Sequence, residues 1–93
     1  MVAQDGAQFD AWGALIRLQV QRKDVAAARA TLAAARARGL GQAAADTYQA
    51  LLEAMSGSAS TARTLLARVP QQSLDADPAL KEVAAWVQRI VGP

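Results

Sequence analysis

A serine-rich turn, Ser56-Gly57-Ser58-Ala59-Ser60, is the first segment of this chain whose residues could do chemistry. Its hydroxyls could belong to a serine nucleophile or to a phosphate-binding loop. A serine nucleophile needs a neighbouring base, and the chain contains no histidine, while the Gly-Lys-Ser ending of a phosphate-binding loop is absent from this segment. We therefore interpret the segment as a flexible turn.

The acidic residues show no pairing that acid/base catalysis would use. Glu53, Asp75, Asp77 and Glu82 are spread along the chain, and Asp77 precedes Pro78, where a helix cap is the simpler role. Cysteine and histidine are both absent, which removes thiolate nucleophiles, disulfides and the usual ligands of zinc, copper and haem. We predict no catalytic activity, no metal and no cofactor.

Arginines at seven-residue spacing form the third candidate group. Arg22, Arg29 and Arg36, with Lys23 and Arg38 nearby, could form a stripe that contacts phosphate groups. The net charge is only +2, and the stacking aromatics of nucleic-acid readers are lacking. We interpret the stripe as a solvated helix face and do not expect nucleic acid as the partner.

The elements that position these residues are helices. Apolar residues recur at three- and four-residue spacing, and alanine supplies much of the 53% hydrophobic fraction, which favours close helix packing. No apolar run reaches the ~20 residues that span a bilayer, and the N-terminus lacks an export signal. We expect a cytoplasmic protein, or a periplasmic one if the chain is a fragment of an exported protein.

Five helices are predicted, after a flexible segment of residues 1–7. The second begins after the cap Asp24 and ends at Gly39, the fourth is capped by Ser58 or Ser60 and stopped by Pro70, and residues 71–76 form a linker. The predicted helices cover residues 8–22, 25–38, 42–55, 59–69 and 77–91. The apolar face of the first consists of Phe9, Trp12, Leu15, Ile16 and Leu18, and Trp12 is assigned to packing.

Two stretches of the chain repeat each other. Trp12, Leu15 and Ile16 match Tyr48, Leu51 and Leu52 at an offset of 36, whereas Ala28-Arg29 matches Ala62-Arg63 at an offset of 34. The turn of the second copy is therefore predicted to be two residues shorter. Units of this length cannot bury their apolar faces alone and must stack on each other.

These residues resemble the tetratricopeptide repeat. Trp12, Leu15, Ala28, Leu32 and Ala35 fall where that motif has its aromatic, leucine, small, bulky and small residues. The sequence departs from the motif at Ile16 and Leu52, which replace a small residue, and at Leu40, which replaces a frequent proline. The resemblance implies an all-α, right-handed stack of hairpins 8–39 and 42–69 plus a C-terminal capping helix 77–91, within one domain of residues 8–93.

A narrower resemblance covers roughly residues 15–91. This part of the chain is similar to the tetratricopeptide-like chaperones of type III secretion needle subunits. The similarity lies in the segment from Thr47 to Glu53, in Gly57, in Leu66-Ala67 and in Asp77-Pro78-Ala79-Leu80. This resemblance implies a bacterial chaperone that cradles the amphipathic C-terminal helix of a needle protein. The hairpin ending at Leu40 also resembles the RNA-binding pentatricopeptide class, but one and a half repeats are too few for a base code.

The resemblance implies where a partner binds. In tetratricopeptide stacks the first helix of each pair lines the concave face, so we expect an amphipathic helix or extended peptide of another protein to bind there. Alternatives are a fragment of a longer solenoid scaffold in bacterial assembly or export, or an RNA-binding repeat; the open ends could also pair with a second copy or another chain. Trp86, at the border of the last apolar face, either covers the core or anchors the partner. The candidate contacts are Asp10, Gly13, Arg17, Gln21, Asp46, Gln49, Glu53 and Trp86, among which Arg17, Gln49 and Glu53 would fix orientation.

Overall fold

A computed structural model describes the backbone from Val2 to Gly92 and the side chains from Ala11 to Gly92. The described residues are all-α, with six helices and no strand, and none of these helices is long and apolar enough to cross a bilayer. The helices are α1 (Val2–Gln21), α2 (Val25–Ala37), α3 (Gln42–Met55), α4 (Ala59–Ala67), α5 (Gln71–Ala76) and α6 (Pro78–Val91).

Local sequence signals set several of these boundaries. The Asp24 carboxylate accepts a hydrogen bond from the Ala27 amide at 3.2 Å, and the Asp77 carboxylate accepts from the amides of Ala79 and Leu80. Each carboxylate satisfies amides that the first helical turn leaves unbonded. After α2, Gly39 has a φ of 99°, which a glycine adopts without steric cost. These predicted caps and ends are confirmed.

Other boundaries differ from the prediction. Helix α1 starts at Val2 rather than residue 8, while Met1 lies outside the described residues and the flexibility of residues 1–7 stays a prediction. The predicted linker 71–76 is helix α5, which is too short for its apolar spacing to indicate a helix. Helix α4 ends at Ala67, and Ser58 occupies its N-cap position without a side-chain cap bond.

Helix α3 lies at the centre of the packing. It contacts α1 and α2 on one side and α4 and α6 on the other, while α5 packs on α6. The largest fully buried side chains of the core come from α1, α2, α3 and α6, and they are Ile16, Val20, Leu32, Thr47, Leu51, Leu52, Val83 and Val87.

The apolar face predicted for α1 is partly wrong. Leu15 is 40% exposed and Leu18 is 45% exposed, whereas Ile16 and Val20 are buried. Helix α1 packs mainly on α2 and α3, where Ile16 and Val20 are buried, so Leu15 and Leu18 keep a large part of their surface in water. Val20 was not among the predicted core residues of this helix.

The turns of the two hairpins have the same length and the same hydrogen bonds. Three residues separate α1 from α2, and three separate α3 from α4. The Asp24 amide donates to the Gln19 carbonyl at 2.9 Å, and the Ser58 amide donates to the Glu53 carbonyl at 2.8 Å, so donors and acceptors both correspond at an offset of 34. The predicted shortening of the second turn is therefore wrong.

Burial follows the same offset of 34. Gly13, Ile16, Val20 and Ala28 are buried, and so are their counterparts at that offset, which are Thr47, Ala50, Ala54 and Ala62. Aligning the aromatic residues Trp12 and Tyr48 at 36 led to the wrong register, because an aromatic side chain can reach the core from more than one position on a helix. The unit repeated in space is therefore shorter than the spacing of the two aromatic residues.

Candidate functional site

A cleft separates α1 from α6. Four residues of α1 at helical spacing form one wall and four residues of α6 form the other, around a volume of about 460 Å³. Because these positions recur every three or four residues, each wall is one continuous helix face. The walls consist of Ala14, Arg17, Leu18 and Gln21 on α1, and Glu82, Val83, Trp86 and Arg89 on α6.

The cleft combines apolar surface with charge. Leu18 is 45% exposed and Trp86 is half-buried, so both present apolar surface to the cleft. Arg17 also lines an adjoining cavity of about 290 Å³, to which α3 contributes Tyr48 and the start of α6 contributes Leu80. The arrangement offers apolar contact flanked by guanidinium and carboxylate groups, which suits a polypeptide segment.

Three of the eight predicted contacts lie at this cleft. Arg17 and Gln21 line the wall of α1, and Trp86 lines the wall of α6. Helical spacing alone had placed these residues beside the apolar faces of their helices. The side chain of a fourth, Asp10, lies outside the described residues.

Gly13 and Asp46 are buried, which contradicts the exposure assumed for them. A Cβ atom built at Gly13 would overlap the Tyr48 hydroxyl and lie 3.1 Å from Cζ, so α1 and α3 approach each other closely here. Asp46 is only 7% exposed and accepts a hydrogen bond from Gln42 Nε2 at 2.8 Å. Neither residue offers a side chain to a partner in this conformation.

Gln49 and Glu53 lie on the α2 side of α3, away from the cleft. Gln49 lines a small pocket with Arg29 and Arg36 of α2, and the Glu53 carboxylate pairs with the Arg29 guanidinium at 3.0 Å. The predicted grouping of Arg17 with Gln49 and Glu53 is therefore wrong. Helical phase could not tell which neighbouring helix the polar residues of α3 meet.

Several residues of the cleft were not predicted from the sequence. Helical spacing predicts Leu18 in the core and Glu82 among the unpaired acids, while Ala14, Val83 and Arg89 have no predicted part in binding. A detectable signal existed, since Glu82 and Arg89 lie seven residues apart on the same side of α6 as Trp86. What the sequence does not give is that α6 faces α1.

A second groove lies between α4 and α6, and it shares Glu82 and Arg89 with the cleft. It has a volume of about 970 Å³, and Leu66, Ala67, Ala85 and Val91 give it apolar surface. Arg63 stands at its edge and donates a hydrogen bond to the Val91 carbonyl oxygen at 2.8 Å.

The serine turn and the arginine stripe meet each other in the structure. Arg29 donates to Ser56 Oγ at 3.1 Å as well as to Glu53, so the middle arginine of the stripe is held within the chain. Among the described residues, no group of three acidic side chains could hold a metal ion. The Trp12 indole Nε1 is buried without a hydrogen-bond partner among the side chains described from residue 11 onward.

No protein-family model, no curated protein and no solved structure matches this chain.

Proposed function

We propose that this chain is a non-catalytic protein-interaction module of the tetratricopeptide type, and that it binds a helical or extended segment of a partner protein in the cleft between α1 and α6. The fold part of the proposal rests on the structural repeat at an offset of 34, which equals the length of a tetratricopeptide unit. It is also supported by the packing, since α3 contacts both helices of the first hairpin and α6 contacts both helices of the second.

The exposure of Leu18 is the observation that supports binding of a partner in the cleft. A leucine that is 45% exposed on one wall of a cleft, opposite the half-buried Trp86, leaves apolar area in water that a partner could cover. An amphipathic helix or an extended peptide would place apolar side chains between Leu18 and Trp86 and polar groups against the charged edges. A chaperone that shields a partner's amphipathic helix would use the cleft in the same way.

The chain offers a matched pair of leucines for the test. Leu15 and Leu18 lie on the same helix with 40% and 45% exposure, but only Leu18 lines the cleft. A photo-crosslinking amino acid placed at position 18 or at position 15, in cells that make this protein, would be followed by mass spectrometry of crosslinked chains. We expect partner crosslinks from position 18 and few from position 15.

Substitution provides the second arm of this experiment. Leu18→Glu should abolish capture of the crosslinked partner, because burying a carboxylate against apolar surface is costly, whereas Leu15→Glu should leave capture intact. Both variants should keep the helical circular dichroism of the parent. Equal loss of capture in both variants, or crosslinks from position 15 alone, would move the binding surface away from the cleft.

A second candidate is a segment of a longer helical array, and the groove between α4 and α6 favours it. Its apolar residues Leu66 and Val91 are half-buried, and another helix could cover them as α6 covers α3 and α4. In that case Ala85→Glu, which introduces charge into this groove, should weaken association with a chain that supplies further repeats. Binding to a chain without helical repeats should be unaffected.

A further inference from the structure

Among the residues whose side chains the structure describes, the charged groups without a partner are mostly basic. Of the six acids whose side chains are described, five are held by a hydrogen bond or an ion pair within the chain: Asp24, Asp46, Glu53, Asp75 and Asp77. Only Glu82 makes no such contact with the described residues. The acids are thus engaged in helix caps and internal pairs.

The basic residues are distributed differently. Arg29 pairs with Glu53, Lys81 pairs with Asp75 at 3.8 Å, and Arg63 donates to a backbone carbonyl. The other Arg and Lys side chains make no hydrogen bond or ion pair with any described residue, and two of these, Arg17 and Arg89, line opposite walls of the cleft. With Glu82, the charged side chains of the cleft sum to a net +1.

We infer that the segment bound in the cleft between α1 and α6 is acidic: an amphipathic helix or peptide that places an apolar side chain between Leu18 and Trp86 and side-chain carboxylates against Arg17 and Arg89. This inference rests on the proposed function and names the chemistry of its partner. A guanidinium group presents a planar pair of N–H donors that matches a carboxylate, so an acidic segment would satisfy donors that the described residues leave unbonded.

The position of the two arginines favours a protein over a nucleic acid. They flank an apolar surface instead of following one another along a continuous basic groove, and among the described residues Trp86 is the one aromatic side chain on the cleft walls. A single strand of RNA would need a row of cations for its phosphates and several stacking aromatics for its bases. Two arginines on opposite walls instead fit carboxylates on either side of one apolar anchor.

The test selects random-sequence peptides, displayed on phage, on the immobilised full chain. Parallel selections use Arg17→Glu plus Arg89→Glu, and a control with the same change of charge outside the cleft, Arg36→Glu plus Arg38→Glu. We expect Asp and Glu enrichment beside an apolar residue on the parent and on the control. On the cleft variant this preference should reverse toward Lys and Arg, because complementarity of charge sets which partners are rejected.

A selected acidic peptide is then measured directly by fluorescence anisotropy. Reversal of both cleft arginines should weaken binding by about tenfold or more, and the control variant should change it by less than about twofold. If reversal of the half-buried Arg17 disturbs folding, Arg89→Glu is measured alone, because Arg89 is exposed. This variant should also weaken binding of the acidic peptide. Circular dichroism and the thermal midpoint of each variant separate loss of binding from loss of fold.

The outcomes distinguish the two proposals. Peptides that depend on Leu18 but show no acidic preference would overturn the acidic partner and leave the cleft as the binding surface. If acidic enrichment persisted on the cleft variant, Arg17 and Arg89 would have no part in recognition, and the inference would fail. If no selected peptide depends on Leu18 for binding, both the inferred acidic partner and the proposed function fail. Displacement of the acidic peptide by oligouridine at physiological salt would assign the cleft to nucleic acid.

Discussion

The same face of two helices is open in the first hairpin and closed in the second. Ala14, Arg17, Leu18 and Gln21 of α1 correspond, at the offset of 34, to Tyr48, Leu51, Leu52 and Met55 of α3. In α3 this face is apolar and buried at Tyr48, Leu51 and Leu52, and α3 packs on α6. In α1 the equivalent face combines the small, charged and polar residues Ala14, Arg17 and Gln21 with one exposed apolar residue, Leu18, and it lines the cleft.

Equivalent positions of the repeated hairpin are packed differently, and under the proposed function they would serve stability in α3 and binding in α1. Burial of this face of α3 against α6 joins the two halves of the molecule. No other helix could join them as well, because only α3 contacts α1, α2, α4 and α6. The face of α1 is not needed for that purpose, and its composition is free to suit a partner. Substitutions at equivalent positions should therefore affect stability in one copy and binding in the other.

The largest expected contrast is between Leu52→Ala and Leu18→Ala, which occupy the same place in the two copies. Leu52 is fully buried, so its truncation should lower the free energy of unfolding by about 2–5 kcal/mol, whereas truncation of the 45% exposed Leu18 should change it by less than about 0.5 kcal/mol. Urea denaturation of both variants measures the difference. Similar losses at the two positions would mean that the cleft face of α1 is sealed in solution.

The next contrast concerns the contact that closes α1 onto α3 beside the cleft. The overlap of the added methyl with the Tyr48 hydroxyl should cost about 1–3 kcal/mol, and the better helix propensity of alanine offsets about 1 kcal/mol of it, so Gly13→Ala should lower the free energy of unfolding by up to about 2 kcal/mol. The cost should be smaller in a Tyr48→Phe background, where the overlapping oxygen is gone. Denaturation of the four proteins of this double-mutant cycle gives the coupling between the two positions. A cycle with no coupling would contradict the close approach of the two helices.

A third contrast separates the turns. Lys23 and Gly57 occupy equivalent positions in the two hairpins, and both have positive φ, 61° and 89°. Only glycine adopts this conformation without strain, so Lys23→Gly should raise the free energy of unfolding by about 0.5–1 kcal/mol, and Gly57→Lys should lower it by about 1 kcal/mol. The two changes are measured by thermal unfolding. Destabilisation by Lys23→Gly, or stabilisation by Gly57→Lys, would show that the two turns are not alike.

The smallest contrast lies between Arg29 and its equivalent Arg63. The Arg29 side chain is 41% exposed in its pair with Glu53, so Arg29→Ala should cost about 0.2–1 kcal/mol, and less at high salt. Arg63 donates to a neutral carbonyl, so the effect of Arg63→Ala should depend less on salt. Unfolding curves at low and high ionic strength test both variants. A salt-independent loss at Arg29 would argue against an ion pair with Glu53 in solution.

Much of the helical structure follows from local signals in the sequence. The bounds of α3 match the prediction, and the caps Asp24 and Asp77 locate the starts of α2 and α6, because a cap acts on amides within one turn of itself. Helix α5 was missed because six residues without an apolar stripe leave no periodic signal. The exposure of Leu15 was missed because periodicity reports an apolar face whether or not another helix covers it.

The candidate site was predictable only in part. Spacing placed Arg17, Gln21 and Trp86 next to apolar faces, and the structure brings these three together. It could not place Gln49 and Glu53, whose neighbours are set by the angle between α2 and α3. It could not foresee the burial of Gly13 either, because that depends on a tyrosine in a different helix, far along the chain.

Trp86 also gives the molecule its own optical reporter. The chain has two tryptophans, and only Trp86 lines the cleft, so its indole emission would shift as a bound segment displaces water from the cleft. Replacing Trp12 with phenylalanine would leave a single emitter at the place where recognition is proposed. Occupancy of the cleft could then be followed without labelling either chain.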